Sequence, residues 1–191
     1  ELKIWPNVLP PCDKELSTFA KDCDGLITML SDQMNEELLK KIPKLKIISN
    51  FAVGFNNINL EYCNAKNIKV TNTPDVLTEA TAELTLALLL SVSRNMIIAS
   101  ENVKLNRWKT WVPNGFIGPG LKGKTLGIVG PGRIAFEFAK KCQKAFDMKI
   151  IYFGRSKKQN FETELSAEKY DLNSLLQKSD VVSLHCPLTK E

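Results

Sequence analysis

Short apolar runs and amphipathic stretches alternate along the first part of the chain. Four runs rich in apolar and β-branched residues predict short strands, at residues 2–5, 25–28, 45–49 and 68–71. The stretches between them predict helices at residues 14–21, 35–42 and 59–66. Because strands that alternate with helices form parallel sheets, we expect a parallel sheet with helices on both faces.

A break in this alternation falls at Asn72, Thr73 and Pro74. Proline restricts its own backbone and biases the residue before it toward an extended conformation. We therefore expect a domain boundary here, which divides the chain into residues 1–73 and residues 74–191.

A long apolar helix is predicted after the boundary, over residues 78–95 and resuming to residue 106. Small and apolar side chains lie on several of its faces, and such a helix must be covered all round. We expect the sheet on one side and a partner subunit on the other, which favours a homodimer formed through residues 78–106. Residues 108–123 are rich in proline, glycine and aromatic residues and predict a long connection that carries function or packs on another surface.

The most specific pattern in the chain is a strand, a glycine turn, a helix and a second strand. The strand is predicted at 125–129, the helix at 133–146 and the second strand at 148–153. This order forms the βαβ unit in which the dinucleotide fingerprint occurs. A short helix at 172–177 and a strand at 181–184 follow.

The glycine turn consists of Gly130, Pro131 and Gly132. Gly130 permits the tight turn, and Gly132 lets backbone amides approach a pyrophosphate at the helix N-terminus. The third position of the pattern is Ala135, which is small enough for close packing of the helix on the strand. The turn is therefore expected to bind the phosphates of a dinucleotide.

The residues after the second strand bear on which dinucleotide this is. Gly154 stands where an acidic residue would bind the ribose 2′-hydroxyl of NAD, and Arg155, Ser156 and Lys157 follow it. Such donors suit a 2′-phosphate, which a carboxylate would repel. We therefore expect NADP(H) rather than NAD(H), the alternative being a solvated basic turn.

Composition and charge exclude several classes of protein. The 26 basic and 21 acidic residues are spread along the chain and form no basic stripe with interleaved aromatics, which argues against a nucleic-acid partner. The five cysteines have no metal or redox spacing, and there is no signal peptide or long apolar span, so we expect reduced thiols in a cytoplasmic protein without a membrane partner. The chain begins at Glu1 and stops at Glu191 in a way that suggests truncation at both ends.

Four separated blocks of the sequence resemble the D-isomer-specific 2-hydroxyacid dehydrogenases, in particular the glyoxylate/hydroxypyruvate reductases. They are ISNFAVGFNNI at 48–58, VTNTPDVLTEATAEL at 70–84, GKTLGIVG at 123–130 and DVVSLHCPLT at 180–189. The resemblance implies an α/β fold of two doubly wound parallel-sheet domains. Residues 1–73 would be part of a flavodoxin-like substrate domain, and residues 74–191 part of a Rossmann coenzyme domain.

The resemblance also assigns substrate roles. The backbone amides of Val53 and Gly54 would hold the substrate carboxylate, which agrees with the use of glycine where backbone donors face an anion; the alternative is a simple glycine turn. Trp111 would shape the active site of a dimer mate or, equally well, anchor an interface. Asn56 departs from the aspartate usual in the family, but both residues cap helices.

The cofactor roles implied by the resemblance cover three loops and a helix start. Val76 and Thr81 would line the nicotinamide and phosphate side, although ordinary packing at a helix start also explains them. His185, the only histidine, matches a loop that borders the cofactor and is not the proton donor of the family. The expected cofactor-binding residues are Val76, Thr81, Gly130, Pro131, Gly132, Arg133, Ile134, Gly154, Arg155, Ser156, Lys157, His185, Cys186 and Pro187.

The implied reaction is hydride transfer from NAD(P)H to a small 2-oxo acid such as glyoxylate or hydroxypyruvate. The catalytic Arg, Glu and His of the family would all lie beyond Glu191, so we expect this chain to be inactive alone. We also expect it to hold no metal. Two other hypotheses stay open, a non-catalytic dinucleotide-binding or regulatory module and an oligomerisation remnant without cofactor.

Overall fold

The computed structural model describes residues 1–187, which form two compact units. The first unit is Glu1–Leu77 and the second begins at Thr78. Leu188 and Thr189, which end the fourth block of the resemblance, lie outside the described residues.

Three parallel strands and three helices make up the first unit. The elements are α1 (Asp13–Ala20), β1 (Gly25–Thr28), α2 (Glu36–Leu39), β2 (Ile47–Asn50), α3 (Leu60–Ala65) and β3 (Lys69–Thr71). The strands lie in the order β1-β2-β3, and the asparagines Asn35 and Asn59 cap α2 and α3 with their side-chain oxygens.

One face of this sheet is covered and the other is open. Ile48 is fully buried in a core with Met34 and Leu38, whereas Ile27 on the opposite face is 77% exposed. Within residues 1–77 the three helices therefore lie on one face of the sheet. Since the strands follow one another in one direction, crossovers of the same hand place their helices on the same side.

The strand predicted at residues 2–5 does not form, and this prediction is wrong. The ring of Trp5 instead packs edge-on against Phe19, with 5.4 Å between centroids, and its Nε1 donates to the carbonyl oxygen of Leu9 at 2.9 Å. Leu2 and Ile4 are exposed. An apolar run makes a strand only where a neighbouring strand takes its hydrogen bonds.

The second unit contains a four-stranded parallel sheet. Its elements are α4 (Thr78–Ser93), α5 (Met96–Lys104), β4 (Thr125–Val129), α6 (Arg133–Phe146), β5 (Lys149–Phe153), α7 (Gln159–Glu164), β6 (Glu168–Lys169), α8 (Leu172–Lys178) and β7 (Val181–Leu184). The strands lie in the order β6-β5-β4-β7. The strands at 125–129 and 181–184 and the helix at 133–146 form with the predicted bounds. The short elements α7 and β6 were not predicted, because the residues of both are mostly polar.

Both faces of this second sheet are covered. Ile128 and Tyr152 pack in a core with Phe138 of α6, and Ile151 faces the other way, toward Leu175 of α8. The chain steps from β4 to β5 on one side and to β7 on the other, so crossovers of one hand place helices on opposite faces. The predicted doubly wound parallel sheet is confirmed for this unit.

The predicted long helix is broken at Asn95, whose φ is +52°, into α4 and α5. Leu84, Leu88 and Val92 form an exposed apolar stripe along α4. Within the described part of the chain no single helix meets the length and hydropathy needed to cross a membrane; α4 and α5 do so only as a pair, bent by 67°.

Candidate functional site

The carboxyl ends of β4, β5 and β7 meet at one edge of the second sheet. The amide of Gly130 donates to the carbonyl oxygen of Phe153 at 3.0 Å, and the amide of His185 donates to that of Val129 at 2.8 Å. These bonds bring the glycine turn, the basic loop after β5 and the loop after β7 together. The edge is also the point where the strand order reverses, at which open α/β sheets bind ligands.

Gly130 is required by both its conformation and its surroundings. Its φ is +91°, in the region that favours glycine. A Cβ there would lie 2.7 Å from the amide nitrogen of Cys186 and 2.8 Å from the carbonyl carbon of His185. Gly130 thus permits the turn and the close approach of the loop after β7.

Gly132 differs, because no atom of the described chain requires a glycine there. It is exposed, its φ is −91°, and an added Cβ would meet no heavy atom within 4 Å. It is the N-cap of α6 and has no side chain with which to cap it. The first intrahelical bond runs from the amide of Phe136 to the carbonyl oxygen of Gly132, so the helix provides no acceptor for the amides of Ile134 and Ala135. Open helix N-termini of this kind commonly bind phosphates in other proteins, because the positive end of the helix dipole faces the space.

Ala135 lies on the inner side of the same helix and is fully buried. It belongs to the core that contains Leu126 and Ile128 of β4. Its size therefore suits the close contact between helix and strand that glycine makes in the full pattern.

The basic loop after β5 is exposed but held at its end. The hydroxyl of the buried Tyr152 accepts a hydrogen bond from the amide of Lys158 at 3.0 Å and donates to Glu162 at 2.8 Å. The side chains of Arg155, Ser156 and Lys157 lie in solvent. The loop thus presents several donors from a position that the core determines.

His185 is half-buried beside Phe138, with 5.6 Å between ring centroids. Its Nε2 lies 2.9 Å from the Oγ of Ser183, and no carboxylate within residues 1–187 is hydrogen-bonded to it. Burial lowers the pKa of His185 below its usual value. The role of His185 beside the cofactor stays a prediction from the resemblance. Cys186 and Pro187 continue this loop and are exposed.

A second group of candidate residues lies in the loop after β2 in the first unit. The carbonyl oxygens of Ala52, Val53 and Gly54 each accept one hydrogen bond. The donors are the Thr73 amide at 2.9 Å, the Asn72 side chain at 2.9 Å and the Asn50 side chain at 2.8 Å. Three successive peptide planes are thereby fixed.

The amides on the other side of these planes are those of Val53, Gly54 and Phe55. In a trans peptide the N–H points away from the C=O, so each carbonyl bond directs the next amide outward. Within residues 1–187 none of these three amides is bonded to an acceptor. Unused, fixed backbone donors can hold a carboxylate.

Buried asparagines support this loop from below. Asn50 is fully buried; its Oδ1 accepts from Thr28 at 2.9 Å, and its Nδ2 lies 3.2 Å from the Oδ1 of Asn57. Asn57 donates in turn to the carbonyl oxygens of Met29 and Asp32. Sequence reasoning missed Asn50, Asn57 and Asn72. The available signal was the position of two of these asparagines, since Asn50 is the last residue of β2 and Asn72 directly follows β3.

The remaining predicted site residues lie apart from these groups in the chain. Val76 is exposed at the end of the first unit, Thr81 lies on the first turn of α4, and Trp111 is 75% exposed in the segment without helix or strand before β4. Their cofactor and substrate roles stay predictions from the resemblance. Within residues 1–187 there is no cluster of three or more metal-ligating side chains.

The fold and the glycine turn of the second unit define a doubly wound α/β protein with a Rossmann-type turn. Residues 2–170 match the family model of the D-isomer specific 2-hydroxyacid dehydrogenase, catalytic domain. The chain belongs to this family.

Relatives and solved structures agree with this assignment. The whole chain aligns with 59% of the length of a glyoxylate reductase from Thermococcus litoralis, at 47% sequence identity. The TT0316 protein from Thermus thermophilus is 40% identical, with a TM-score of 0.86 over 95% of this chain and 57% of that one. A D-lactate dehydrogenase from Aquifex aeolicus, solved with NAD and lactic acid, is 33% identical, with a TM-score of 0.81 over 91% of this chain and 51% of that one. The chain thus spans 59% of the length of this curated relative.

Proposed function

We propose that this chain is the cofactor-binding and carboxylate-binding part of an oxidoreductase that reduces a small 2-oxo acid, such as glyoxylate or hydroxypyruvate, to a D-2-hydroxy acid. The observation that carries the proposal is the open space at Gly132, at the N-terminus of α6 and at the carboxyl edge of the second sheet. Family membership and the glyoxylate reductase from Thermococcus litoralis support the class of reaction.

The residues of this chain would bind and orient the two reactants. The glycine turn, with Arg133 and Ile134 at the start of α6, would hold the pyrophosphate; the loop at His185 would border the cofactor. When bound, NADPH supplies the hydride. The amides of Val53 and Gly54 would hold the substrate carboxylate, and Val76 and Thr81 would line the nicotinamide side.

The proposed cofactor is NADP(H) in preference to NAD(H). Position 154 has no carboxylate for a ribose hydroxyl, and the exposed Arg155, Ser156 and Lys157 offer charged and neutral donors. The solved relative from Aquifex aeolicus holds NAD, so the preference rests on these residues of the present chain.

The proposal includes the rest of the enzyme and its environment. The catalytic Arg, Glu and His would be supplied from beyond Glu191, and this chain alone would not turn over. The exposed stripe of Leu84, Leu88 and Val92 supports a homodimer through residues 78–106, in which Trp111 would reach the partner's active site. The five free cysteines are consistent with the cytoplasm.

The test has two parts. Calorimetric titration of this chain with NADPH should show saturable binding, and the complete protein should oxidise NADPH when glyoxylate or hydroxypyruvate is added. Absence of binding to both NADPH and NADH would overturn the cofactor site. Binding without turnover of any 2-oxo acid by the complete protein would favour a non-catalytic module instead.

A further inference from the structure

We infer that Pro131 determines cofactor preference by excluding any side chain at position 154. The inference rests on the proposed function and deepens it. Gly154 follows β5, where the acidic residue of NAD-binding proteins stands. A Cβ built on Gly154 would lie 2.8 Å from both Cδ and Cγ of Pro131.

Neither of these two residues can easily move away from the other. Pro131 is buried, and its Cδ is bonded to its own backbone nitrogen, so the ring cannot swing aside as a flexible side chain does. The turn that carries it is held by the bonds from Gly130 to Phe153 and from Gly132 to Gly130. A side chain at position 154 would therefore have to displace the backbone of the glycine turn.

The backbone conformation at position 154 does not itself require glycine. Gly154 is not among the residues with positive φ, and the next nearest atom to an added Cβ, the carbonyl oxygen of Ser156, lies 3.7 Å away in ordinary contact. Of the described neighbours, the Pro131 ring alone makes a prohibitive contact. The proline thus keeps a carboxylate away from the ribose and leaves the site to the donors of Arg155 and Lys157.

The steric contact between Pro131 and position 154 predicts which substitutions can alter the preference for NADP(H) over NAD(H). Gly154→Asp alone would force the acidic side chain against the ring and disturb the turn that binds the pyrophosphate, so affinity for both cofactors should fall. In Pro131→Ala/Gly154→Asp the Cγ and Cδ atoms are gone, and the carboxylate can reach the ribose hydroxyls. The double variant should then favour NADH.

The experiment is a double-variant cycle on the complete protein, with Kd for NADH and NADPH measured by calorimetry. We expect Gly154→Asp to bind both cofactors at least tenfold more weakly than the wild type. We expect Pro131→Ala/Gly154→Asp to shift the ratio of the two Kd values at least tenfold toward NADH relative to Pro131→Ala. Gly154→Ala, with and without Pro131→Ala, separates the steric effect from charge, because alanine should weaken binding only beside the proline.

Two results would overturn the inference. One is a switch to NADH by Gly154→Asp alone, as large as in the double variant; the other is equal tolerance of Gly154→Ala with and without the proline. A wild-type protein that binds neither cofactor would overturn the proposed function instead. Thermal unfolding of the alanine variants tests the inference without any cofactor. Gly154→Ala should lower Tm only when Pro131 is present, because the steric contact needs the proline ring.

Discussion

The side-chain amide of Asn72 donates a hydrogen bond to the carbonyl oxygen of Val53 at 2.9 Å. The bond joins the end of the first unit's last strand to the loop after β2. The bond fixes the peptide plane between Val53 and Gly54, which contains the N–H of Gly54. The two residues therefore define one wall of the proposed carboxylate site without Asn72 itself contacting substrate.

Removal of this bond should weaken substrate binding. In the complete protein, Asn72→Ala should raise KM for glyoxylate roughly three- to tenfold with a smaller change in kcat, since a net hydrogen bond contributes about 1 kcal/mol. The Kd of NADPH should not change. The matched control is Asn64→Ala, at an exposed helical asparagine. An unchanged KM in Asn72→Ala would contradict the assignment of the loop.

Arg155→Ala should weaken NADPH binding much more than NADH binding. The guanidinium would contact a 2′-phosphate that NADH lacks, and a hydrogen bond to a charged group is worth about 1.5–3 kcal/mol, or roughly a 10- to 100-fold change in Kd. Lys149→Ala, at the opposite end of β5, removes the same charge as a control. Equal losses for both cofactors would remove the 2′-phosphate role of Arg155.

Gly132→Ala should reduce dinucleotide binding while leaving the fold nearly as stable. Its Cβ would meet no atom of the described chain but would enter the space proposed for the pyrophosphate. We expect Kd for NADPH to rise at least tenfold and the free energy of unfolding to fall by about 1 kcal/mol or less, the usual range for a changed N-cap. Gly120→Ala, also surrounded by open space, is the control. Undiminished affinity would place the phosphates elsewhere.

Thiol reactivity should separate buried from exposed cysteines. Burial raises the pKa of Cys142 to about 12 and also raises the pKa of Cys63, whereas Cys12 is exposed. Because the thiolate is the nucleophile, iodoacetamide should label Cys12 in the folded protein and Cys142 only after unfolding. Peptide mass spectrometry measures the extent of labelling at each cysteine. Early labelling of Cys142 would show that the core around α6 opens.

Asp180 should make stability depend on acid pH. Its carboxylate accepts from the amide of Thr125 at 2.8 Å and from Lys124 Nζ at 2.9 Å, which holds its pKa below the usual value. A depressed folded pKa stabilises the fold above the unfolded pKa of about 3.9, and this is lost as pH falls through the folded value. Asp180→Asn should therefore lower Tm at neutral pH, with a difference from wild type that shrinks below about pH 4. A difference that stays constant with pH would contradict this.

Local sequence pattern was sufficient to predict an element when its own residues mark its type and its ends. The strand β4 is apolar on both faces and ends in glycines, and its bounds and those of α6 follow from residues next to one another in sequence. The strand predicted at residues 2–5 does not form because no strand within residues 1–187 pairs with it, and no local pattern reveals this. The open face at Ile27 likewise depends on the direction in which successive strands are added.

By itself, the sequence determined the parallel α/β class, the glycine turn and the donor-rich loop after β5, because each depends on residues that are close together in the sequence. Only the tertiary structure decided that Asn50 and Asn72 hold the loop at Val53 and that the ring of Pro131 closes position 154 to side chains. Asn72 and Val53 are 19 residues apart in the chain. Such contacts depend on how the elements fold back on one another, and short-range spacing carries no information about that.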